Sequence, residues 1–195
     1  MERKKFILDL DETIISAEAT EEYDFEKYKN KSSKFRYKPM EGYYIIFERP
    51  HLQEFLDFIF ENFDVSVWTA ATKDYALFII NKIILIKPNR KLDYIFFSYH
   101  CNISKKLKKG TKDLSMLWDV YKINGYNEKN TFILDDYDEV YKTQNSNCII
   151  AEQFKFVNEN SEKDVFLKKL KRKIKKYLIT DNNVQNSIQK INSKK

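Results

Sequence analysis

A chain of 195 residues with 43% apolar content is long enough for one sizeable core and too short for two. Only three glycines and three prolines are present, which leaves little room for a glycine-rich phosphate loop, and neither a Walker nor a dinucleotide fingerprint occurs. The formal net charge of +6 is concentrated in lysine clusters around 105–109 and 168–176 rather than spread along the chain.

The opening Met1-Glu2-Arg3-Lys4-Lys5 meets only three apolar residues before Asp9, which predicts no signal peptide. A first strand is expected over 5–9, since Phe6-Ile7-Leu8 reads as a run buried on both faces. It stops on Asp9-Leu10-Asp11-Glu12-Thr13, the spacing Asp-x-Asp-x-Thr of phosphoryl transfer. Carboxylates placed where a strand leaves an open α/β sheet stand where active sites form. Asp9 suits attack on phosphorus and cation binding; Asp11 suits protonation of the leaving oxygen and later deprotonation of water. Taken alone, the pattern also fits acidic residues capping a turn.

An extra piece follows from Glu21 to Phe47. Its charged first half reads as a solvated loop or short helix, and Lys34–Lys38 and Tyr43–Phe47 flank Pro39-Met40-Glu41-Gly42 as a hairpin. A helix is expected over 51–62 and a strand over 64–68, ending at Thr69, whose hydroxyl precedes the small residues Ala70 and Ala71. Backbone N–H groups there can approach a phosphoryl oxygen without side-chain obstruction. The helix candidate 73–86 is interrupted by Asn81 and Lys82 and is too short to span a membrane. A strand over 93–98 leads to a basic loop with Lys105, Lys106, Lys108 and Lys109, then to Gly110-Thr111-Lys112, where Lys112 is a point charge for phosphoryl oxygens. A helix over 113–122 precedes a strand over 130–134 that ends on Asp135-Asp136. A strand over 147–150 and a helix over 162–179 complete the alternation, which predicts a mainly parallel sheet flanked by helices. In that last helix Leu167, Leu170, Ile174 and Leu178 recur at helical spacing beside a basic face. From Asp181 onward Asn, Gln, Ser and Lys dominate, and a disordered tail is expected.

A hard cation such as Mg²⁺ takes oxygen ligands and keeps several waters, so Asp9 and Asp136 with one backbone carbonyl would suffice as protein ligands. Neither Cys101 nor Cys148 is followed by the Arg that a cysteine-dependent phosphatase needs, so both read as core thiols of a reducing compartment. His51 and His100 read as structural histidines. Tyr43, Tyr44 and Tyr99 are candidates to line a peptide groove.

Five ordered blocks resemble the haloacid dehalogenase superfamily of aspartyl-phosphate phosphatases, and within it the small CTD phosphatase branch. They are Leu8-Asp9-Leu10-Asp11-Glu12-Thr13-Ile14, Arg49-Pro50-His51-Leu52-Gln53-Glu54-Phe55-Leu56, Trp68-Thr69-Ala70-Ala71, Lys112-Asp113-Leu114-Ser115 and Leu134-Asp135-Asp136. The resemblance covers roughly residues 4 to 178. It implies an α/β, Rossmann-like three-layer sandwich with a mainly parallel central sheet, a small β-hairpin insertion and no large cap domain. The phosphatase domain would occupy 1–180, with 181–195 as the polar tail. It further implies Asp9 as nucleophile and metal ligand, and Asp11 as acid/base that lends the metal its backbone carbonyl. Thr69 and Lys112 would bind the phosphoryl group with help from Ala70, and Asp136 would complete the metal ligands. Asp135 would orient Lys112 and metal-bound water, and Thr13 would steady the first loop. One departure is the stretch Ile95-Phe96-Phe97-Ser98-Tyr99-His100-Cys101, which has no arginine where members acting on phosphoserine often place one, so substrate preference is open to differ.

The gaps between blocks are 55 residues from Thr13 to Thr69 and 42 from Thr69 to Lys112, and neither easily holds a cap. An uncapped site favours a phosphate carried on a macromolecule. The expected activity is Mg²⁺-dependent hydrolysis of phosphoserine or phosphothreonine in an extended peptide, and the resemblance points to the C-terminal repeats of RNA polymerase II. A phosphorylated protein or peptide is the expected partner, with no membrane partner and an intracellular site, nuclear or cytoplasmic. Two other readings stand beside it: a nucleic-acid end phosphatase sharing the first signature, and a non-catalytic scaffold that keeps the fold to bind peptides.

Overall fold

The computed structural model describes residues 3–181 and 183–193, so the expectations for Met1-Glu2 and for Asn182, Lys194 and Lys195 lie outside the described residues. In chain order the elements are β1 (Lys5–Leu8), β2 (Ile15–Ala19), α1 (Phe25–Ser32), β3 (Tyr37–Met40), β4 (Tyr44–Glu48), α2 (Leu52–Asn62), β5 (Asp64–Trp68) and α3 (Lys73–Ile79). There follow β6 (Leu92–Phe96), α4 (Ser98–Lys108), β7 (Thr131–Asp135), α5 (Asp138–Thr143), β8 (Cys148–Ile150), α6 (Phe166–Tyr177) and α7 (Val184–Asn192).

Five strands form the central sheet in the order β6-β5-β1-β7-β8, every neighbouring pair parallel. Phe6 and Leu8 face one side, packed with Phe55, Leu56 and Ile59 of α2 and Leu167, Leu170 and Ile174 of α6. Ile7 and Ile133 face the other, against Cys101 of α4, Leu117 and Val140 of α5. Covering both faces is why β1 and β7 are unbroken apolar runs, and it makes the three-layer sandwich expected from the sequence.

A second sheet, in the order β2-β4-β3, is antiparallel. The expected hairpin is its β3–β4 half, turned by Gly42 at φ 78°. The third strand, β2, was not foreseen, because Ile15-Ser16-Ala17-Glu18-Ala19 has one β-branched residue and its alternation rests on two alanines, which are poor strand formers. Pairing with β4, whose Ile45, Ile46 and Phe47 are buried, imposes the strand where local propensity does not. Beneath the sheet Phe47 stacks on Phe156 at 3.7 Å between ring centroids, with Tyr23 alongside. Among the described residues no large cap stands over the site.

Several boundaries differ from expectation. The strand at 93–98 ends at Phe96, and the supposed basic loop is the end of a helix, α4, with Lys105, Lys106 and Lys108 in its last turn. Its fully buried residues are small, Cys101 and Ser104, with Ile103 half-buried beside them, so no apolar stripe announces it. The helix expected at 73–86 becomes α3 followed by a π turn at Ile80–Ile84, and the one at 113–122 reduces to a π turn at Met116–Val120. The segment from Asp181, expected as a disordered tail, carries α7 instead. Val184, Ile188 and Ile191 recur at i, i+4 and i+7, so one helix face is buried against α6 and β8. Asn183 caps it by accepting from Asn186 N at 2.9 Å, and Asn192 Nδ2 donates to Cys148 O at 2.9 Å. Composition counted the polar residues and missed the period. Among the described residues no helix is long and apolar enough to cross a membrane.

Candidate active site

Strand register brings the two acidic ends together. Leu8 of β1 pairs with Leu134 of β7, and Asp9 N donates to Leu134 O at 3.1 Å, so Asp9 and Asp135 emerge side by side at the C-terminal edge of the sheet. One carboxylate oxygen from each of Asp9, Asp135 and Asp136 lies within 4.8 Å of the other two. Like charges so close and so buried repel unless a cation intervenes. Lys112 supplies it: Nζ donates to Asp9 Oδ1 at 2.5 Å and to Asp135 Oδ2 at 2.7 Å, with its side chain almost wholly buried. Burial disfavours the ammonium, but the Asp9 and Asp135 charges outweigh that and hold Lys112 firmly protonated. Thr13 Oγ1 donates to Asp9 Oδ2 at 2.8 Å and lies 3.2 Å from Asp136 Oδ1, tying the first loop to the second acidic pair.

Asp11 stands beside this cluster and is held from outside it. Tyr75, in the first turns of α3, donates to Asp11 Oδ1 at 2.5 Å. Burial pushes the Asp11 carboxyl up to about 6, opposed by the Tyr75 hydrogen bond and reinforced by the Asp9 charge. A carboxyl in that range can both give and take a proton near neutrality. Tyr44 of β4 packs edge-on to Tyr75 with ring centroids 5.4 Å apart, so the small sheet reaches the rim of the site.

Thr69 follows β5, which flanks β1 on its other side with Leu8 opposite Val67. It therefore leaves at the same sheet edge as Asp9. Its hydroxyl accepts from Ala71 N at 3.1 Å, shaping the turn in which Ala70 is exposed. Thr69 and Ala70 border the cluster without a hydrogen bond to it among the described residues. His100 Nδ1 accepts from Phe97 N at 3.0 Å, a structural role, and burial pushes the thiols of Cys101 and Cys148 up.

The donor set suits a hard divalent cation: it is all oxygen, from paired carboxylates on rigid strand ends. Both Asp135 oxygens are already engaged, Oδ2 by Lys112 and Oδ1 by Tyr137 N at 2.9 Å. Asp9 is engaged in the same way, Oδ1 by Lys112 and Oδ2 by Thr13, whereas the Asp136 oxygens have only longer contacts, at 3.2 Å to Thr13 and 3.5 Å to Gln153. The Asp11 carbonyl accepts none of the backbone hydrogen bonds that shape this loop among the described residues.

Residues to which the sequence assigned no role in the site hold it in shape. Arg49 is fully buried: it donates to Thr13 O at 2.8 Å and Glu152 O at 2.7 Å and pairs in a fork with Asp164. The Lys112 loop is pinned by Ser104 Oγ, which donates to Gly110 O and accepts from Asp113 N, and by Gln144, which bonds Lys112 O and Leu114 N. Glu139 Oε1 accepts from both the N–H and the hydroxyl of Thr111. These partners lie 28 to 32 residues away for Glu139 and Gln144, too far for spacing to reveal.

Gly110 adds a test of that loop. A Cβ there would lie 2.9 Å from Thr143 Cγ2 and 3.0 Å from its Oγ1. Gly110→Ala is expected to destabilise by about 1–3 kcal/mol and to weaken phosphate affinity by shifting Lys112. Thr143→Ser, which removes the clashing methyl, should restore much of the loss in urea denaturation.

Comparison with known proteins gives this geometry a family. The model for the NLI interacting factor-like phosphatase matches residues 4–188. The chain is 44% identical to CTD phosphatase-like protein 355R of Invertebrate iridescent virus 6 over 90% of this chain and 99% of that one. It is 41% identical to the protein of the same name from Invertebrate iridescent virus 3, over 90% and 97%. The fold is similar to that of fission yeast RNA polymerase II CTD phosphatase Fcp1 bound to beryllium fluoride, at a TM-score of 0.64 and 18% identity, covering 97% of this chain and 70% of that one. With Asp-x-Asp-x-Thr, the buried lysine and the second acidic pair at one sheet edge, the chain belongs to the NLI interacting factor-like phosphatases, a branch of the haloacid dehalogenase superfamily.

Proposed function

We propose that this phosphatase hydrolyses phosphoserine or phosphothreonine in an extended peptide through an aspartyl-phosphate on Asp9. The C-terminal repeats of RNA polymerase II are the substrate we favour, because the relatives carry CTD phosphatase in their names. The observation that carries the mechanism is the Lys112 ammonium set between Asp9 and Asp135 beside Asp136.

Asp9, oriented by Lys112 and Thr13, attacks phosphorus as the bond to the serine oxygen breaks. Asp11 gives its proton to that departing oxygen. The Asp11 carboxylate then takes a proton from a water whose oxygen attacks the same phosphorus, and the bond to Asp9 breaks. Lys112, the Thr69 hydroxyl and the backbone N–H of Ala70 hold the phosphoryl oxygens. Mg²⁺, held by Asp9, Asp136 and the Asp11 carbonyl, would neutralise charge on the transferring group. Asp135 keeps Lys112 in place. The uncapped edge and the aromatic rim of Tyr44 and Tyr75 suit a chain laid across the site better than a small metabolite enclosed within it. Two buried free thiols fit a reducing nuclear or cytoplasmic setting.

Turnover of phosphopeptides, 3′-phosphorylated oligonucleotides and sugar phosphates, compared with and without Mg²⁺, tests the reading. Phosphopeptides should be the fastest substrates; faster release from oligonucleotides would establish the end-phosphatase alternative, and no turnover at all would leave a scaffold. Chelator should remove activity and Mg²⁺ restore it, with Asp136→Ala raising the Mg²⁺ concentration needed for half-maximal rate about tenfold or more. Full activity in excess chelator would exclude this cation site.

A further inference from the structure

Seven of the twelve residues of α6 are Lys or Arg, and none is acidic. The whole chain has a formal charge of +6 and this helix alone carries +7, so the remainder of the protein is close to neutral at −1. At about 100° per residue the seven cations span about 200° of the helix circumference, and Leu167, Leu170, Ile174 and Leu178 fill the opposite side. The apolar side is buried against α2 and α7, which fixes the helix rigidly and turns the basic side outward.

Lys168, Lys169, Arg172, Lys175 and Lys176 are exposed. Among the described residues none of the seven forms an ion pair with an acidic side chain. Lys171 and Lys173 are half-buried, Lys173 on Ile191 O at 2.7 Å, so the five exposed cations define the patch, with Lys176 lying over the Tyr177 ring at 4.9 Å. Elsewhere some lysines are partnered: Lys108 pairs with Asp119 and Lys87 with Asp57. Other lysines, such as Lys29, Lys38 and Lys129, also have no ion pair among the described residues, but α6 gathers seven cations on twelve residues with no acid among them.

We propose that the exposed face of α6 binds the phosphate backbone of a nucleic acid without reading its sequence. The chemistry of the face selects this partner. Four of its five exposed cations are lysines, point charges suited to a regular line of phosphates; recognition of single phosphorylated side chains favours the paired donors of arginine. The face offers no exposed Asn, Gln, Ser or Thr to read base edges and no exposed aromatic shelf for peptide side chains. Its apolar side is committed to the core, so the helix cannot bury that side in a lipid surface. The patch does not depend on the catalytic chemistry, since α6 packs on a sheet face and the reacting groups stand at the strand ends.

The test uses the full chain and a fluorescent duplex DNA of arbitrary sequence, read by anisotropy over a salt series. Binding should weaken with a log–log slope of about −3 to −5, one phosphate contact contributing about −0.9. Reversing three exposed cations together, Lys168→Glu, Arg172→Glu and Lys175→Glu, should lower affinity at least about tenfold at about 50 mM salt and flatten the slope by about half or more. Lys29→Glu, Lys38→Glu and Lys129→Glu together make the same change in net charge on other surfaces and should cost about twofold or less. Turnover of a small aryl phosphate, unchanged in both triple variants, verifies that they fold. Equal losses in the two triples, or no salt-dependent binding by the native chain, would overturn the proposal. Tighter capture of a multiply phosphorylated peptide than of DNA by the same face would overturn it as well and assign the face to a phosphoprotein.

Discussion

Asp9→Asn should abolish turnover of every phosphomonoester, while Asp11→Asn should lose activity in proportion to how poor the leaving group is. The amide that replaces the Asp9 carboxylate keeps one acceptor oxygen for Lys112, and its NH2 can donate to a rotated Thr13 hydroxyl, so the cluster can persist, but it is no nucleophile toward phosphorus. Asp11 acts on the departing oxygen. A serine alkoxide needs its proton and an aryl oxide scarcely does, so Asp11→Asn should slow phosphopeptide turnover about 10²–10⁴-fold and the first step with an aryl phosphate far less. Because the second step needs Asp11 as base, phosphorylated Asp9 should accumulate in that variant and be found by mass spectrometry of the trapped peptide. Tyr75→Phe removes the 2.5 Å hydrogen bond that aims Asp11 and should give a smaller loss with the same leaving-group dependence. Normal activity in Asp9→Asn sinks the mechanism; a loss from Asp11→Asn that is equal for aryl and alkyl phosphates removes Asp11 from the acid role.

What could be read from the sequence was whatever a single strand or loop states about itself. Phe6-Ile7-Leu8 and Phe132-Ile133-Leu134 declared strands buried on both faces, and the acidic residues that ended them declared the sheet edge. From these the parallel sheet and the neighbourhood of Asp9, Asp135 and Asp136 followed, while the place of Lys112 came from the family resemblance. What could not be read was set by partners distant in sequence. Strand β2 exists because β4 offers it an edge; α4 fully buries only the small side chains of Cys101 and Ser104; and α7 gains its buried half-turns from α6. The same holds within the site. Tyr75 was 64 residues from Asp11 and Asp164 was 115 from Arg49, and no pattern short of the folded chain joins them.

Lys112→Met should separate the stability of the site from its chemistry. The substitution keeps length and removes the ammonium, leaving the Asp9 and Asp135 carboxylates facing each other in a buried space. Breaking a buried pair by deleting one partner costs about 3–5 kcal/mol, and loss of a charge that stabilises the transferring phosphoryl group costs about 10²–10³ in rate. Burial and the Asp9 charge already push the Asp135 carboxyl up, with Lys112 opposing them; without Lys112 that rise is larger. A carboxyl raised in the folded state contributes stability that is present below its unfolded value and lost as pH rises through the folded one. In chelator, then, the stability gap between Lys112→Met and the native chain should widen as pH increases from about 4 toward neutrality, and close below the ordinary carboxylate range. Asp135→Asn supplies the cross-check. In the native background it removes one of two partners of the ammonium and should destabilise; combined with Lys112→Met it removes a repelling charge and should stabilise. Activity should recover in neither case, since no variant carrying Lys112→Met offers a cation to the phosphoryl oxygens. If Asp135→Asn changes stability by the same amount in both backgrounds, the three groups are not coupled and Lys112 does not hold the carboxylates together. A reversal of sign establishes that the ammonium is what allows two acids to share one buried edge, which is the condition for Asp9 to stand oriented where the phosphate arrives.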